Sequence, residues 1–186
     1  MVLYVDACVR KESRTKRIAD HLIDKLGEPF ELLRLETCDF PVVDADFITK
    51  RDELLRQQAY EDPMFDYARQ FASADEIVIA APFWDLSFPA RLKQYLEQVC
   101  VVGVTFRYTQ EGRPEGMCKA KKLYYVTTSG GDYFPEQYGF GYVQALARNF
   151  YGISDVQLIK ATGLDVIGAP VEQILLATER EIDKCP

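Results

Sequence analysis

The sequence has a single histidine, His21, among its 186 residues. Hydrolases of the Ser or Cys triad type use a histidine as general base, and His21 falls inside a predicted helix, so hydrolysis of that kind is excluded. We expect His21 to be a surface or boundary residue. The sequence also has no G-x-G-x-x-G motif after its first predicted strand, which removes the usual dinucleotide-binding signature.

Cysteines are present, but their spacing does not suggest a structural role. They are odd in number and none are arranged as C-x-x-C, so neither a disulfide framework nor a zinc site is indicated. We expect reduced thiols in a reducing compartment and no metal. The five cysteines are Cys8, Cys38, Cys100, Cys118 and Cys185.

The sequence also lacks long apolar runs and an excess of positive charge. No stretch approaches the roughly 18 apolar residues that a membrane-spanning helix needs. The segment 1–8 is typical of a strand and not of a signal peptide, so we expect a cytoplasmic protein. The formal net charge is −7, which disfavours nucleic acids and anionic membranes as partners. A small-molecule ligand is the better expectation.

The composition is that of an ordinary folded domain. Hydrophobic residues make up 48% of the chain and charged residues 27%, which is typical of a globular protein. A chain of 186 residues has the usual size of one domain. We therefore expect one domain over residues 1–186.

Predicted strands and helices alternate along the chain. Alternation of this kind implies a parallel sheet with helices on both faces, and we predict an α/β, flavodoxin-like three-layer sandwich with five strands in the order 2-1-3-4-5. A partly helical stretch around 52–60 and an extended excursion over 103–113 interrupt the alternation. The predicted strands are 2–5, 30–35, 76–81, 122–128 and 156–164, and the predicted helices are 13–26, 64–74, 89–101, 136–151 and 171–183.

In sheets of this kind ligands bind beyond the carboxyl ends of the strands, near the switch point between the first and third strands. The loops to consider therefore start at Asp6, Pro82 and Thr128. The first of them, 7–15, carries three cations and ends in Ser13, Arg14 and Thr15 immediately before a helix. The free N–H groups and dipole of a helix N-terminus favour an anion, so this loop predicts a phosphate site. Alternatively, Ser13 is simply a helix N-cap.

The same loop also fits Cys-x5-Arg-Thr and so resembles the low-molecular-weight phosphotyrosine phosphatases. Cys8 would then be the nucleophile and Arg14 the phosphate clamp. Such an enzyme needs a general acid in an Asp-Pro pair near the C-terminal third. The only Asp-Pro here, Asp62-Pro63, is in the wrong region, and Glu12 adds negative charge to the loop.

The second loop, Pro82-Phe83-Trp84-Asp85-Leu86, is followed by Leu92-Lys93-Gln94-Tyr95. Here the chain resembles the azoreductase and NAD(P)H quinone reductase group of flavodoxin-like flavoproteins, whose loop reads Pro-Met/Tyr-Tyr/Trp-Asn-Phe before a Leu-Lys-x-Tyr/Trp helix. The resemblance continues through 103–108 and through 121–131. It therefore covers most of the chain.

This resemblance implies an FMN-dependent oxidoreductase. A hydride from NADH or NADPH would enter at flavin N5, the reactive centre, and the electrons would pass to a quinone or an azo or nitro-type aromatic acceptor in a ping-pong cycle. The relatives are homodimers. The implied FMN contacts are Ser13, Arg14 and Thr15 for the phosphate, Pro82, Phe83, Trp84, Asp85 and Leu86 along the ring edge, and Thr128, Ser129, Gly130 and Gly131 at the pyrimidine side, with Tyr133 and Phe134 as substrate-side candidates.

Asp85 departs from the family pattern, which has Asn at this position. A carboxylate can only accept hydrogen bonds, whereas an amide also donates, and its charge would oppose the negative charge that flavin reduction adds. A non-enzymatic, flavodoxin-type electron carrier is another alternative. Flavodoxins, however, have a Thr-x-Thr-Gly-Asn-Thr-like phosphate loop that this sequence lacks.

Overall fold

The computed structural model describes residues 1–184, so Cys185 lies outside the described residues. Strands and helices alternate along most of this length. The strands are β1 (Val2–Asp6), β2 (Phe30–Arg34), β3 (Glu76–Ala80), β4 (Phe106–Tyr108), β5 (Pro114–Gly116), β6 (Lys122–Thr128) and β7 (Asp155–Ala161). The α-helices are α1 (Arg14–Leu26), α2 (Ala45–Arg56), α3 (Asp66–Ser73), α4 (Ala90–Val99), α5 (Phe140–Leu146) and α6 (Val171–Lys184).

The main sheet has the strand order β2-β1-β3-β6-β7, and all of its pairings are parallel. The predicted fold class and strand order are therefore confirmed. β1 lies between β2 and β3, where Val2 pairs with both Phe30 and Glu76. Every residue of β1 is buried, because a central parallel strand is covered on both faces.

Alternate residues of the central strands form two cores, one on each face of the sheet. Leu3 and Ile77 belong to the core under α3, α4 and α5, whereas Tyr4 and Val78 belong to the core under α1 and α6. This alternation follows from the two-residue period of a strand. His21 lies at the edge of the second core, where it pairs with Asp183 of α6 at 2.8 Å. Among the helices of residues 1–184, none combines the length and the apolarity needed to cross a membrane.

Outside the main sheet, three parts of the chain differ from the sequence prediction. The helix predicted around 52–60 lies earlier, because the carboxylate of Asp44 caps α2 by accepting the N–H of Phe47 at 2.9 Å. The excursion 103–113 belongs to a hairpin in which β4 pairs with β5. The helix predicted over 136–151 is a short 3-10 turn, then α5, then a π-helical turn at Ala147–Tyr151.

The last predicted strand is also shorter than expected. β7 ends at Ala161, not at 164. Gly163 has a φ of 74°, which is incompatible with a strand. Residues 163–165 therefore form a loop at the same sheet edge as the three predicted ligand loops.

Gly27 is the C-cap residue of α1, and replacing it tests how much its left-handed backbone conformation matters for stability. Its φ is 63°, its N–H donates to the Ile23 carbonyl at 3.2 Å, and a Cβ there would meet no atom within 4 Å. Gly27→Ala should therefore lower the free energy of unfolding by about 1 kcal/mol, from left-handed backbone strain alone. Urea unfolding measures the loss. Gly27→Asn is the matched control and should lose less, since Asn tolerates this conformation; an Ala variant as stable as wild type would contradict the explanation.

Candidate functional site

A cavity of about 270 Å³ opens at the carboxyl ends of β1, β3, β6 and β7. The loops that follow these strands supply its walls, as expected for an open parallel sheet. Its lining residues are Val9, Arg10, Glu12, Ser13, Arg14, Thr15, Pro82, Phe83, Trp84, Thr128, Ser129, Gly130, Leu164 and Asp165.

Most of the site residues named from the sequence meet at this cavity. All three predicted loops contribute, through residues 13–15, 82–84 and 128–130. Asp85, Leu86 and Gly131 are the next residues along two of these loops and are not part of the lining. The hydroxyls of Thr15 and Thr128 lie 2.6 Å apart, which links the first loop to the third.

The first loop ends at the N-terminus of α1. Ser13 is the N-cap, and its hydroxyl accepts the N–H of Lys16 at 3.2 Å. The N–H groups of Arg14 and Thr15 have no acceptor within residues 1–184. Ser13 therefore does act as a helix N-cap. Two N–H donors and the positive end of the helix dipole remain beside the cavity.

Cys8 lies at the start of the first loop, two residues after the end of β1. It is buried, and its N–H donates to the carboxylate of Asp6 at 2.9 Å. Burial raises the pKa of the Cys8 thiol well above its usual range, although a hydrogen bond with Ser13 acts in the opposite direction. Cys8 does not line the cavity. A nucleophilic cysteine needs the opposite setting, accessible and held as a thiolate.

The second loop closes on itself in a two-residue turn. Trp84 donates its N–H to the Ser87 carbonyl at 3.0 Å, and Ser87 donates back to the Trp84 carbonyl at 2.8 Å. The two central residues, Asp85 and Leu86, have φ values of 51° and 67°, as this turn type requires. Their N–H groups have no acceptor in the described chain. The Phe83 N–H is already used by the Thr128 carbonyl at 3.0 Å.

The third loop is hydrogen-bonded to the loop after β7 through its carbonyl groups. The carbonyls of Ser129, Gly130 and Gly131 accept N–H groups from residues 163–165 at 2.8–3.2 Å. The N–H groups of Gly130 and Gly131 themselves have no acceptor among the residues the structure describes. A Cβ on Gly131 would meet no atom within 4 Å. The carbonyl groups thus hold the loop in place, and the N–H groups of its two glycines remain available.

Leu164 and Asp165 are cavity residues that the sequence reasoning missed. The sequence predicts Leu164 in the last strand and predicts no ligand loop after that strand. Gly163 was the available signal, because a glycine after an alternating strand is typical of a turn. Arg10 and Glu12, which also line the cavity, were noted only as charges of the first loop.

The two substrate-side candidates lie outside the cavity lining. The ring of Phe134 packs against Phe83 with ring centroids 4.6 Å apart, and the Lys160 ammonium lies 5.2 Å from the centre of the Phe134 ring. Tyr133 is 72% exposed. Phe134 thus packs against a residue of the cavity wall, whereas Tyr133 is mostly exposed on the loop after Gly131.

Comparison with known proteins agrees with this architecture. The chain is 38% identical to the FMN-dependent NADH:quinone oxidoreductase of Clostridium beijerinckii, over 98% of this chain and 94% of that protein. It is 39% identical to FMN-dependent NADH:quinone oxidoreductase 2 of Clostridium acetobutylicum, over 95% of this chain and 93% of that protein.

Solved structures give the same picture of the fold. An azoreductase from Bacillus anthracis superposes with a TM-score of 0.85 at 24% identity, covering 98% of this chain and 96% of the other. An FMN-dependent NADH-azoreductase of the same species, solved in complex with FMN, superposes with a TM-score of 0.80 at 23% identity, covering 98% and 95%. The family model described as a flavodoxin-like fold matches residues 1–185. The chain therefore belongs to this family of flavodoxin-like proteins.

Proposed function

We propose that the chain is an FMN-dependent NAD(P)H oxidoreductase that reduces quinones or azo or nitro-type aromatic compounds. The observation that carries this proposal is the set of unpaired backbone N–H groups at the carboxyl edge of the sheet, at 14–15, 85–86 and 130–131. The relatives named FMN-dependent NADH:quinone oxidoreductases match nearly the whole chain. Their name favours NADH as the donor.

The donor set suits FMN in two ways. A helix N-terminus with an adjacent arginine favours a phosphate, and Ser13, Arg14 and Thr15 would hold it. The planar ring has acceptor atoms on its edge, and donors near its oxygens stabilise the charge that reduction adds. The N–H groups of residues 85–86 and 130–131 would supply those donors.

The second loop would therefore contribute fewer backbone contacts than the sequence suggests. The N–H groups of Phe83 and Trp84 already have carbonyl partners, so these residues, with Pro82, would form an apolar wall. Thr128 and Ser129 would help to hold the third loop, and Tyr133 and Phe134 would face the substrate side.

Bound FMN would supply a ring that accepts a hydride from the nicotinamide and later delivers electrons to the acceptor. The chain would bind and orient that ring without a side-chain acid or base of its own. Such a site suits flat aromatic acceptors, because one open ring face can meet the donor and then the acceptor.

A second copy of the chain would complete the enzyme. α2 has no buried residue in the single chain, and Val42 just before it is 79% exposed. A helix that the single chain covers only partly, next to an exposed valine, supports a homodimer. We further propose that residues 1–186 act as one FMN-binding domain in the cytoplasm.

The full-length protein should bind FMN and turn yellow, and NADH added without oxygen should bleach the flavin absorbance. Bleaching follows because the ring accepts a hydride from the nicotinamide. A spectrophotometric titration measures both steps, and a quinone added afterwards should restore the colour. A protein that binds no FMN would contradict the proposal.

Cys8→Ser separates the reductase from the phosphatase alternative. The buried Cys8 thiol does not line the cavity, so the variant should keep FMN binding and the rate of NADH-dependent bleaching. The matched variant Arg14→Ala should weaken FMN binding, since it removes the cation beside the phosphate. Hydrolysis of p-nitrophenyl phosphate that disappears in Cys8→Ser would favour the phosphatase instead.

Asp85→Asn should raise the midpoint potential of the bound flavin. The substitution removes a negative charge beside the ring, while Asn tolerates the positive φ of this turn. Anaerobic redox titration with reference dyes measures the change. Asp24→Asn, which removes an equal charge from exposed α1 surface, should leave the potential unaltered. An unchanged potential in Asp85→Asn would show that the carboxylate does not act on the ring.

A further inference from the structure

Asp165 touches the first and third loops at the same time. Its backbone N–H donates to the Gly130 carbonyl at 2.8 Å, and its carboxylate Oδ1 accepts from Arg14 Nη1 at 2.7 Å. The other carboxylate oxygen fills the space beside Gly130, where a Cβ would collide with it. One side chain therefore joins the arginine of the first loop to the glycine loop.

Arg14 is held on one edge and free on the other. Its Nη1 donates to Asp165 and also to the Leu164 carbonyl, at 3.2 Å. The remaining N–H donors, on Nε and Nη2, have no acceptor in residues 1–184. A guanidinium edge with two parallel donors matches a phosphate group. Since Arg14 lines the cavity, this free edge is available to an anion bound there.

The ion pair itself adds little to the stability of the fold. The side chains of Arg14 and Asp165 are 41% and 67% exposed, and pairs so exposed contribute little. Its effect is on the conformation of Arg14. A free arginine loses considerable side-chain entropy when it is immobilised on a ligand, and an arginine already fixed by two acceptors loses less.

The charge of Asp165 acts in the other direction, because it repels a phosphate. That repulsion is weakened by solvent, since the carboxylate is exposed and surface charges are screened by water and salt. The two hydrogen bonds to Arg14 are direct contacts and keep their geometric effect.

We propose that Asp165 is a positioning residue that orients Arg14 toward the phosphate, so that the chain selects FMN over riboflavin, the same ring without a phosphate. This inference rests on the proposed function. It assigns a role to a loop, 163–165, that none of the flavin-binding motifs in the sequence includes.

The test is a fluorescence titration of the full-length protein, freed of flavin, with FMN and separately with riboflavin. Asp165→Ala should weaken FMN binding by up to about tenfold, the cost of immobilising one flexible side chain on a ligand, and leave riboflavin binding unchanged. Asp165→Asn, which keeps an acceptor oxygen, should retain most of the preference for FMN. The double variant Arg14→Ala/Asp165→Ala should bind FMN no more weakly than Arg14→Ala alone, because Asp165 acts through Arg14.

The two flavins separate the possible failures. Equal loss of FMN and riboflavin in Asp165→Ala would indicate a purely structural role and overturn the inference, as would tighter FMN binding. If Arg14→Ala lowers the preference for FMN but Asp165→Ala does not, only the inference fails. If Arg14→Ala itself leaves the preference unchanged, the phosphate site in the proposed function is wrong.

Discussion

Parallel pairing of the central strands is the constraint on which the site depends. The ladder continues past the end of each strand into the following loop. Ala7 donates its N–H to the Ala80 carbonyl, Ala81 to Val126, Phe83 to Thr128 and Ser129 to Ala161, all at 2.8–3.0 Å. Because each loop leaves the sheet hydrogen-bonded to its neighbour, the four loops start at fixed positions on one edge. A cavity at that edge follows from the pairing.

Within these loops, some backbone groups are hydrogen-bonded to the protein and others are unpaired. Carbonyl groups of the third loop accept bonds from residues 163–165, while the N–H groups of Gly130 and Gly131 stay unpaired. The first turn of α1 leaves N–H groups unpaired for the general reason that a helix start has no partners for them. The edge of the sheet is consequently rich in donors although the chain carries a net charge of −7. Unpaired N–H donors of this kind suit an anion or a carbonyl-type acceptor without a basic surface.

The sequence predicted the sheet well because its central strands are buried on both faces and are nearly continuous apolar runs. It predicted α2 poorly, since the helix start depends on the capping carboxylate of Asp44 more than on apolar spacing. It missed Asp165 for a different reason. The contact with Arg14 joins residues separated by 151 positions, and neither residue has a local pattern that points to the other. The three predicted ligand loops all line the cavity, and each follows a strand that is easy to recognise from the sequence.

The turn at Asp85 and Leu86 shows how much backbone strain the site contains. The turn closed by Trp84 and Ser87 has both of its central residues in the left-handed region, a conformation that favours Gly or Asn. Leu86 has neither advantage, and a left-handed residue of this type costs about 1–2 kcal/mol. Packing offsets only part of this cost, because Leu86 is 46% exposed. What the turn provides is two adjacent N–H groups without acceptors in the described chain. Strain kept in this way beside a cavity is typical of a pre-organised site, and the two unpaired N–H groups do not depend on the nature of the Asp85 side chain.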